Sequence, residues 1–201
     1  MATNRHVAIP WSTAGKLEFF HAQGLKPEML QLVAFFHGHP TAFEASLHMT
    51  SETADLSLLV LDALPPGETG LTLAEAPPAP GEEVIVMGFP TGLQALLLQA
   101  GQDFLKDLEN SGEVDFWKVA ARLADSGLMV PLASRGIVGK TTESVIVYDA
   151  ETAHGGSGGP VLDMEGRVVG INAIVLPEFG GSNIGVPATE LQELLAISRH
   201  H

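Results

Sequence analysis

The chain has 201 residues, 45% of them hydrophobic and 17% charged, with 24 acidic against 10 basic side chains and a formal charge of −14. This composition suits one packed globular unit rather than a disordered chain. The acidic excess excludes nucleic acid and anionic membrane surfaces as default partners. With no cysteine in the chain, disulfide scaffolds, thiolate metal sites and cysteine nucleophiles are excluded. No apolar run approaches the roughly 20 residues that span a bilayer. The opening Met1-Ala2-Thr3-Asn4-Arg5-His6 has no apolar core of a signal peptide. The expected compartment stays open between cytoplasm and cell envelope.

Residues 1–62 read as short strands. Phe43 to Met49 alternates as a half-buried strand does, and Leu56 to Leu61 is a short apolar run that starts directly after Asp55. Lys26 to Phe36 fits neither helical nor strand spacing. Residues 63–82 read as a linker, bracketed by Pro65-Pro66-Gly67 and Pro77-Pro78-Ala79-Pro80-Gly81, which cannot join a sheet interior. Glu83 to Phe89 is a buried strand stopped at Pro90. Residues 93–126 change character: Leu96, Leu97, Phe104, Leu105 and Leu108 predict one helix ending at Gly112. Phe116, Trp117, Val119, Ala120 and Leu123 predict a second, with Glu113 and Asp115 in its first turn. Strands are then expected near 129–139, 143–149, 159–163 and 167–174, with a hairpin turn at Asp163-Met164-Glu165-Gly166. Ile184 to Pro187 makes a last strand, and Thr189 to Ser198 a closing helix.

The segment His154-Gly155-Gly156-Ser157-Gly158-Gly159-Pro160-Val161 concentrates glycine around one serine. A backbone of this kind turns sharply, exposes the hydroxyl and gathers N–H groups that can hold an oxyanion. Gly155, Ser157 and Gly159 formally match a nucleophile elbow, whose histidine follows the serine. Here only His200 and His201 follow, at the terminus, and no parallel βαβ pattern precedes. An order of histidine, acid and serine requires upstream partners, and these exist.

Several motifs in one order resemble the chymotrypsin-fold serine peptidases, closest to their bacterial HtrA-like branch. Thr3-Asn4-Arg5-His6-Val7 resembles that family's catalytic-histidine segment, and Ala54-Asp55-Leu56-Ser57-Leu58-Leu59 its aspartate segment. Gly156 to Val161 resembles the nucleophile loop. Gly81 to Pro90, Gly136-Ile137-Val138, Gly166 to Asn172 and Gly185-Val186-Pro187 resemble strands of the second barrel. The resemblance implies an all-β fold of two antiparallel barrels, with a helical insertion in the second and a C-terminal helix. It implies a catalytic triad of His6, Asp55 and Ser157, spaced by 49 and 102 residues. The oxyanion hole would come from backbone N–H groups in Gly155-Gly156-Ser157, foremost those of Gly155 and Ser157. Glu151, Thr152, Asn172, Ala173 and Ile174 would line the pocket for the residue before the scissile bond. Glu151 stands where trypsin-like enzymes select basic side chains, but the HtrA-like match favours small apolar ones. No cofactor or metal is expected, and the partner is a peptide or protein substrate.

Other residues compete less well. His21, His37, His39 and His48 lack the matching context. His37-Gly38-His39 would put two imidazoles on one face, but no third metal ligand stands in view. Asp62 lies at the far end of its strand, Ser182 reads as a turn, and His154 could touch substrate. The family carries strands before its histidine. Because His6 is the sixth residue, the first barrel is expected to lack them, and its triad could be loose. The functional expectation is a serine endopeptidase working through an acyl-enzyme; the alternative is a weak or inactive protease-like module that binds peptides or partners. Residues 93–126 would border the substrate cleft, as a lid or docking surface, or simply pack over the second barrel.

Overall fold

The computed structural model describes residues 1–89, 92–151, 155–176 and 182–199. Among the described residues, ten strands form two sheets. β1 (Ala2–Thr3), β4 (Ser57–Leu61), β3 (Phe43–Thr50) and β2 (Val33–Ala34) make an open antiparallel sheet in that spatial order. Six further strands close into an antiparallel barrel in the order β10-β7-β6-β5-β8-β9. They are β5 (Glu83–Gly88), β6 (Leu132–Thr141), β7 (Ile146–Tyr148), β8 (Pro160–Leu162), β9 (Val168–Leu176) and β10 (Ser182–Pro187). The all-β expectation holds: one closed barrel stands beside an open half-barrel sheet, and the chain ends in a helix, α6 (Ala188–Ser198).

The 163–166 turn folds as expected. Asp163 N–H donates to Arg167 O (2.9 Å), Gly166 N–H donates to Asp163 O (3.1 Å), and Arg167 grips the Asp163 carboxylate. The 62–82 segment forms no regular element, yet it is tied down. Ala74 N–H donates to Val168 O (2.9 Å), Val168 N–H to Thr72 O (2.8 Å), and Gln192 Nε2 to Ala74 O (2.8 Å).

Several local expectations change. Two short helices, α1 (Arg5–Ala8) and α2 (Lys16–Ala22), occupy a region expected as strands. The first begins because the Asn4 carbonyl accepts from Val7 and Ala8 N–H. The second has no buried residue, so it leaves no hydrophobic period to read. Of the ambiguous 26–36 stretch, only Val33 and Ala34 pair, with Glu44 and Phe43. Ser182 opens β10, paired with Leu176, instead of making a turn.

The insertion holds three helices, not two: α3 (Leu93–Gln99), α4 (Gly101–Ser111) and α5 (Phe116–Asp125). The expected first helix breaks at Gly101, whose φ of 82° a side chain would disfavour. Asp115 caps α5 by accepting from Lys118 N–H (3.0 Å), and Arg122 ties α5 to α4 through Asp107 (2.5 Å) and Ser111 (2.9 Å). Leu96, Val119, Leu123, Ala124 and Met129 form a separate small core, with Phe35 of the first sheet region packed against it. Phe35 stacks on Trp117, and Gly38 N–H donates to Ala124 O (2.8 Å). The insertion therefore reaches back from the barrel to the segment beside β2.

Two clusters build the rest of the core. One fills the barrel around Val84, Val138, Ile146, Tyr148 and Val161. The other is a seam between the lobes: Leu56 and Leu58 from the first sheet pack with Ile171, Ala173 and Val186 of the barrel and Leu191 and Leu194 of α6.

Neither cluster contains an insertion residue. Replacing 95–127 by a short linker will therefore leave the barrel folded, with a loss of helical circular dichroism and a retained cooperative melt. Disappearance of that melt would contradict the division. Leu191→Ala opens a cavity in the seam and will cost about 2–5 kcal/mol, read as a fall of roughly 5–20 °C in Tm by calorimetry.

Candidate active site

The chain just before the half-barrel's first helix is pinned to the β4 entrance residue by residue. Ala2 pairs with Leu58 and Thr3 with Ser57. Asn4, fully buried, donates from Nδ2 to Asp55 O (2.9 Å), and Arg5 reaches Ala54 O (3.0 Å). His6 then meets Asp55 twice. Its backbone N–H donates to Oδ1 at 3.1 Å, and its ring Nδ1 lies 2.6 Å from Oδ2. An ionised carboxylate only accepts, so Nδ1 carries a proton, and in the neutral ring Nε2 keeps its lone pair. Both side chains keep roughly 30% of their surface, so the couple is neither sealed from substrate nor fully solvated.

Burial pushes the Asp55 carboxyl upward, but the hydrogen bonds from the His6 ring and backbone, with the charges of His6 and Arg5, outweigh it. The net effect holds Asp55 below the ordinary carboxylate range.

Ser157 sits in a loop that glycine makes possible. Gly158 has φ of 84°, and any Cβ there would strike Thr3 Oγ1; a Cβ at Gly159 would strike Met87 O. The loop is laced to β9: Gly158 N–H donates to Asn172 O (2.9 Å), and Asn172 N–H to Gly159 O (2.9 Å). The Ser157 hydroxyl donates to Ala173 O at 3.1 Å. The Gly155 and Ser157 N–H groups donate to no acceptor among the described residues. Gly155 is exposed, with φ of 98°.

The candidate pocket residues divide. Ala173 is buried beside Ser157. Asn172 is buried, and its side chain bonds to Gly156 and Tyr148. Glu151 is exposed, and its carbonyl accepts from Ser134 Oγ. Ile174 pairs through its backbone with Ile184. Thr152 and His154 lie outside the described residues. His21 and His48 stand on α2 and β3; His37 lies against Gly127, and His39 against the Phe43 ring. Among the described residues, no group of three or more His, Asp or Glu side chains could hold a metal.

Sequence reading passed over two residues that touch this site, Asn4 as an anchor of Asp55 and Tyr148 as a partner of Asn172. Tyr148 is the only tyrosine in the chain. A phenol in a barrel strand needs a hydrogen-bond partner, which was the available signal.

A carboxyl held below its ordinary value of about 3.9 stabilises the fold fully above that pH. The contribution disappears as pH falls through the lower, folded-state value. The difference between the urea midpoints of the wild type and Asp55→Asn will therefore be largest above about pH 5 and shrink as pH falls through the unfolded-state value; a difference that stays the same or grows as pH falls below about 5 would contradict this.

A family description of the trypsin-like peptidase domain matches residues 1–171. The chain is 25% identical over 158 residues to the serine protease HTRA1B of Danio rerio, covering 79% of this chain and 28% of that protein. It is 26% identical over 132 residues to the serine protease Rv3671c of Mycobacterium tuberculosis, covering 64% of this chain and 27% of that protein. The chain thus spans little more than a quarter of the length of these curated relatives. Among solved structures it superposes on the active form of the Rv3671c protease with a TM-score of 0.61 at 18% identity, over 97% of this chain and 67% of that one. A serine endoprotease from Yersinia pestis gives 0.62 at 17%, over 98% and 52%. These likenesses show the same fold, and the family match over most of its length places the chain in the trypsin-like peptidase family.

Proposed function

We propose that the chain is a serine endopeptidase in which His6, Asp55 and Ser157 act as a triad. The observation that carries this reading is the two-point grip of Asp55 on His6, through the backbone at 3.1 Å and the ring at 2.6 Å. That grip selects the tautomer with Nε2 free as a base and fixes the ring plane.

The chemistry then runs in two halves. Ser157 Oγ bonds to the scissile carbonyl carbon while its proton passes to His6 Nε2. The negative oxygen of the tetrahedral intermediate accepts from the Gly155 and Ser157 N–H groups. Collapse breaks the C–N bond, and the leaving amine takes the proton from His6. Water then gives its proton to His6, attacks the ester and releases Ser157 with its proton restored. Asp55 stays ionised throughout and stabilises the imidazolium. Before the first step the Ser157 hydroxyl must exchange its bond to Ala173 O for one to His6, a change of the kind substrate binding tightens in apo sites. For the residue before the scissile bond we place a small apolar side chain, next to Ala173.

A second reading, a protease-like binding module, is favoured by that same hydroxyl bond to Ala173 in place of His6. A fluorophosphonate probe separates the two. The enzyme reading expects covalent labelling that Ser157→Ala abolishes, with peptide turnover falling by at least about 10⁴-fold. A folded wild type that takes no label supports the binding module.

A further inference from the structure

The geometry points to Tyr148 and Asn172 as positioning residues that hold the Ser157 N–H in the oxyanion hole. This rests on the endopeptidase reading above. Tyr148 OH donates to Asn172 Oδ1 at 2.5 Å, and Asn172 Nδ2 donates to Gly156 O at 2.9 Å. Gly156 O also accepts from Gly159 N–H at 3.1 Å.

The carbonyl of Gly156 and the N–H of Ser157 belong to one peptide unit. That unit is planar and trans, so the two groups point in opposite directions. Drawing the Gly156 oxygen inward onto Asn172 and Gly159 therefore turns the Ser157 N–H outward, toward the reacting carbonyl. The pull is needed because this peptide sits among Gly155, Gly156, Gly158 and Gly159, where the backbone has little resistance to a flip. A flipped unit would aim the Gly156 oxygen at the place where the oxyanion forms and hide the N–H donor.

Asn172 can hold the carbonyl only with its NH₂ facing it, and the amide could rotate to present oxygen instead. The Gly156 carbonyl can only accept, which favours the NH₂ facing it, and the Tyr148 hydroxyl holds the amide in that orientation by donating to Oδ1. Tyr148 is 1% exposed and Asn172 equally buried. Burial pushes the phenol upward, so it remains protonated as a donor. The barrel makes room for the ring at Gly185, where a Cβ would come within 3.2 Å of Tyr148 Cε1. Neither side chain reaches His6 or Ser157 Oγ by a hydrogen bond in this structure, so their action on the reaction passes through the Gly156–Ser157 peptide.

The test measures peptide hydrolysis, fluorophosphonate labelling, Ki for a peptide boronate, and Tm for Tyr148→Phe, Asn172→Ala and the double variant. Loss of one oxyanion donor typically lowers kcat by about 10²–10³-fold. Asn172→Ala is expected to lower kcat by about 10²-fold with KM unchanged, and Tyr148→Phe by about tenfold. The boronate Ki should rise in step with the fall in kcat/KM, because the adduct carries the tetrahedral oxygen. The double variant should be no worse than Asn172→Ala, since both act through one contact. Unchanged kcat in Tyr148→Phe with a lowered Tm would overturn the inference, as would additive losses or losses confined to KM. A wild type that neither labels nor turns over peptide overturns the endopeptidase reading and this one with it; a wild type that labels beside unaffected variants overturns this one alone.

Discussion

The catalytic candidates stand on two lobes, and the apolar seam between those lobes decides whether they can meet. Leu56 and Leu58 from the open sheet bury against Ile171, Ala173, Val186 and the α6 leucines. Asp55 is the residue before Leu56, and Ala173 is the acceptor for the Ser157 hydroxyl. Each fully buried leucine of this kind contributes about 1.5–3 kcal/mol. The same side chains that join the lobes thus hold the segment carrying Asp55 against the strand that accepts the Ser157 hydroxyl. The closing helix belongs to this seam as much as either sheet does, since Leu191 and Leu194 complete it and Gln192 anchors the inter-lobe segment at Ala74.

Within that frame, backbone geometry carries much of the site. Thr3, Asn4, Arg5 and His6 each engage the 54–57 segment in turn, so the histidine is aligned by the strand that precedes it. The serine loop is shaped by exclusion: Thr3 and Met87 crowd Gly158 and Gly159 so closely that no side chain fits. Thr3 therefore links the two halves, being paired to Ser57 on one side and pressed on Gly158 on the other.

The insertion is a unit of its own in packing, yet it is not isolated. Its small core recruits Phe35, and its backbone holds Gly38. A segment that leaves one lobe and rests on the other couples the two beyond the seam.

Much was legible in the sequence because it depends on local rules. Alternating and apolar runs marked β3, β4, β5 and β9, and Gly112 marked the stop of a helix inside the insertion. The motif order around His6, Asp55 and Ser157 identified the fold and the candidate triad. Residues such as Lys16–Ala22 were not legible, because a short helix with no buried face has no hydrophobic period. The break at Gly101 was equally hidden, since glycine is tolerated inside helical patterns. The sequence by itself determined the fold class, the candidate residues and the order of the motifs that carry them. Only the tertiary structure decided that Asn172 turns inward to Gly156 and Tyr148. It also decided that Ser157 rests on Ala173 and that the insertion leans on Phe35. Each of these is a contact between residues from 16 to more than 80 positions apart, where side-chain direction is set by packing and hydrogen-bond satisfaction rather than by neighbours in the chain.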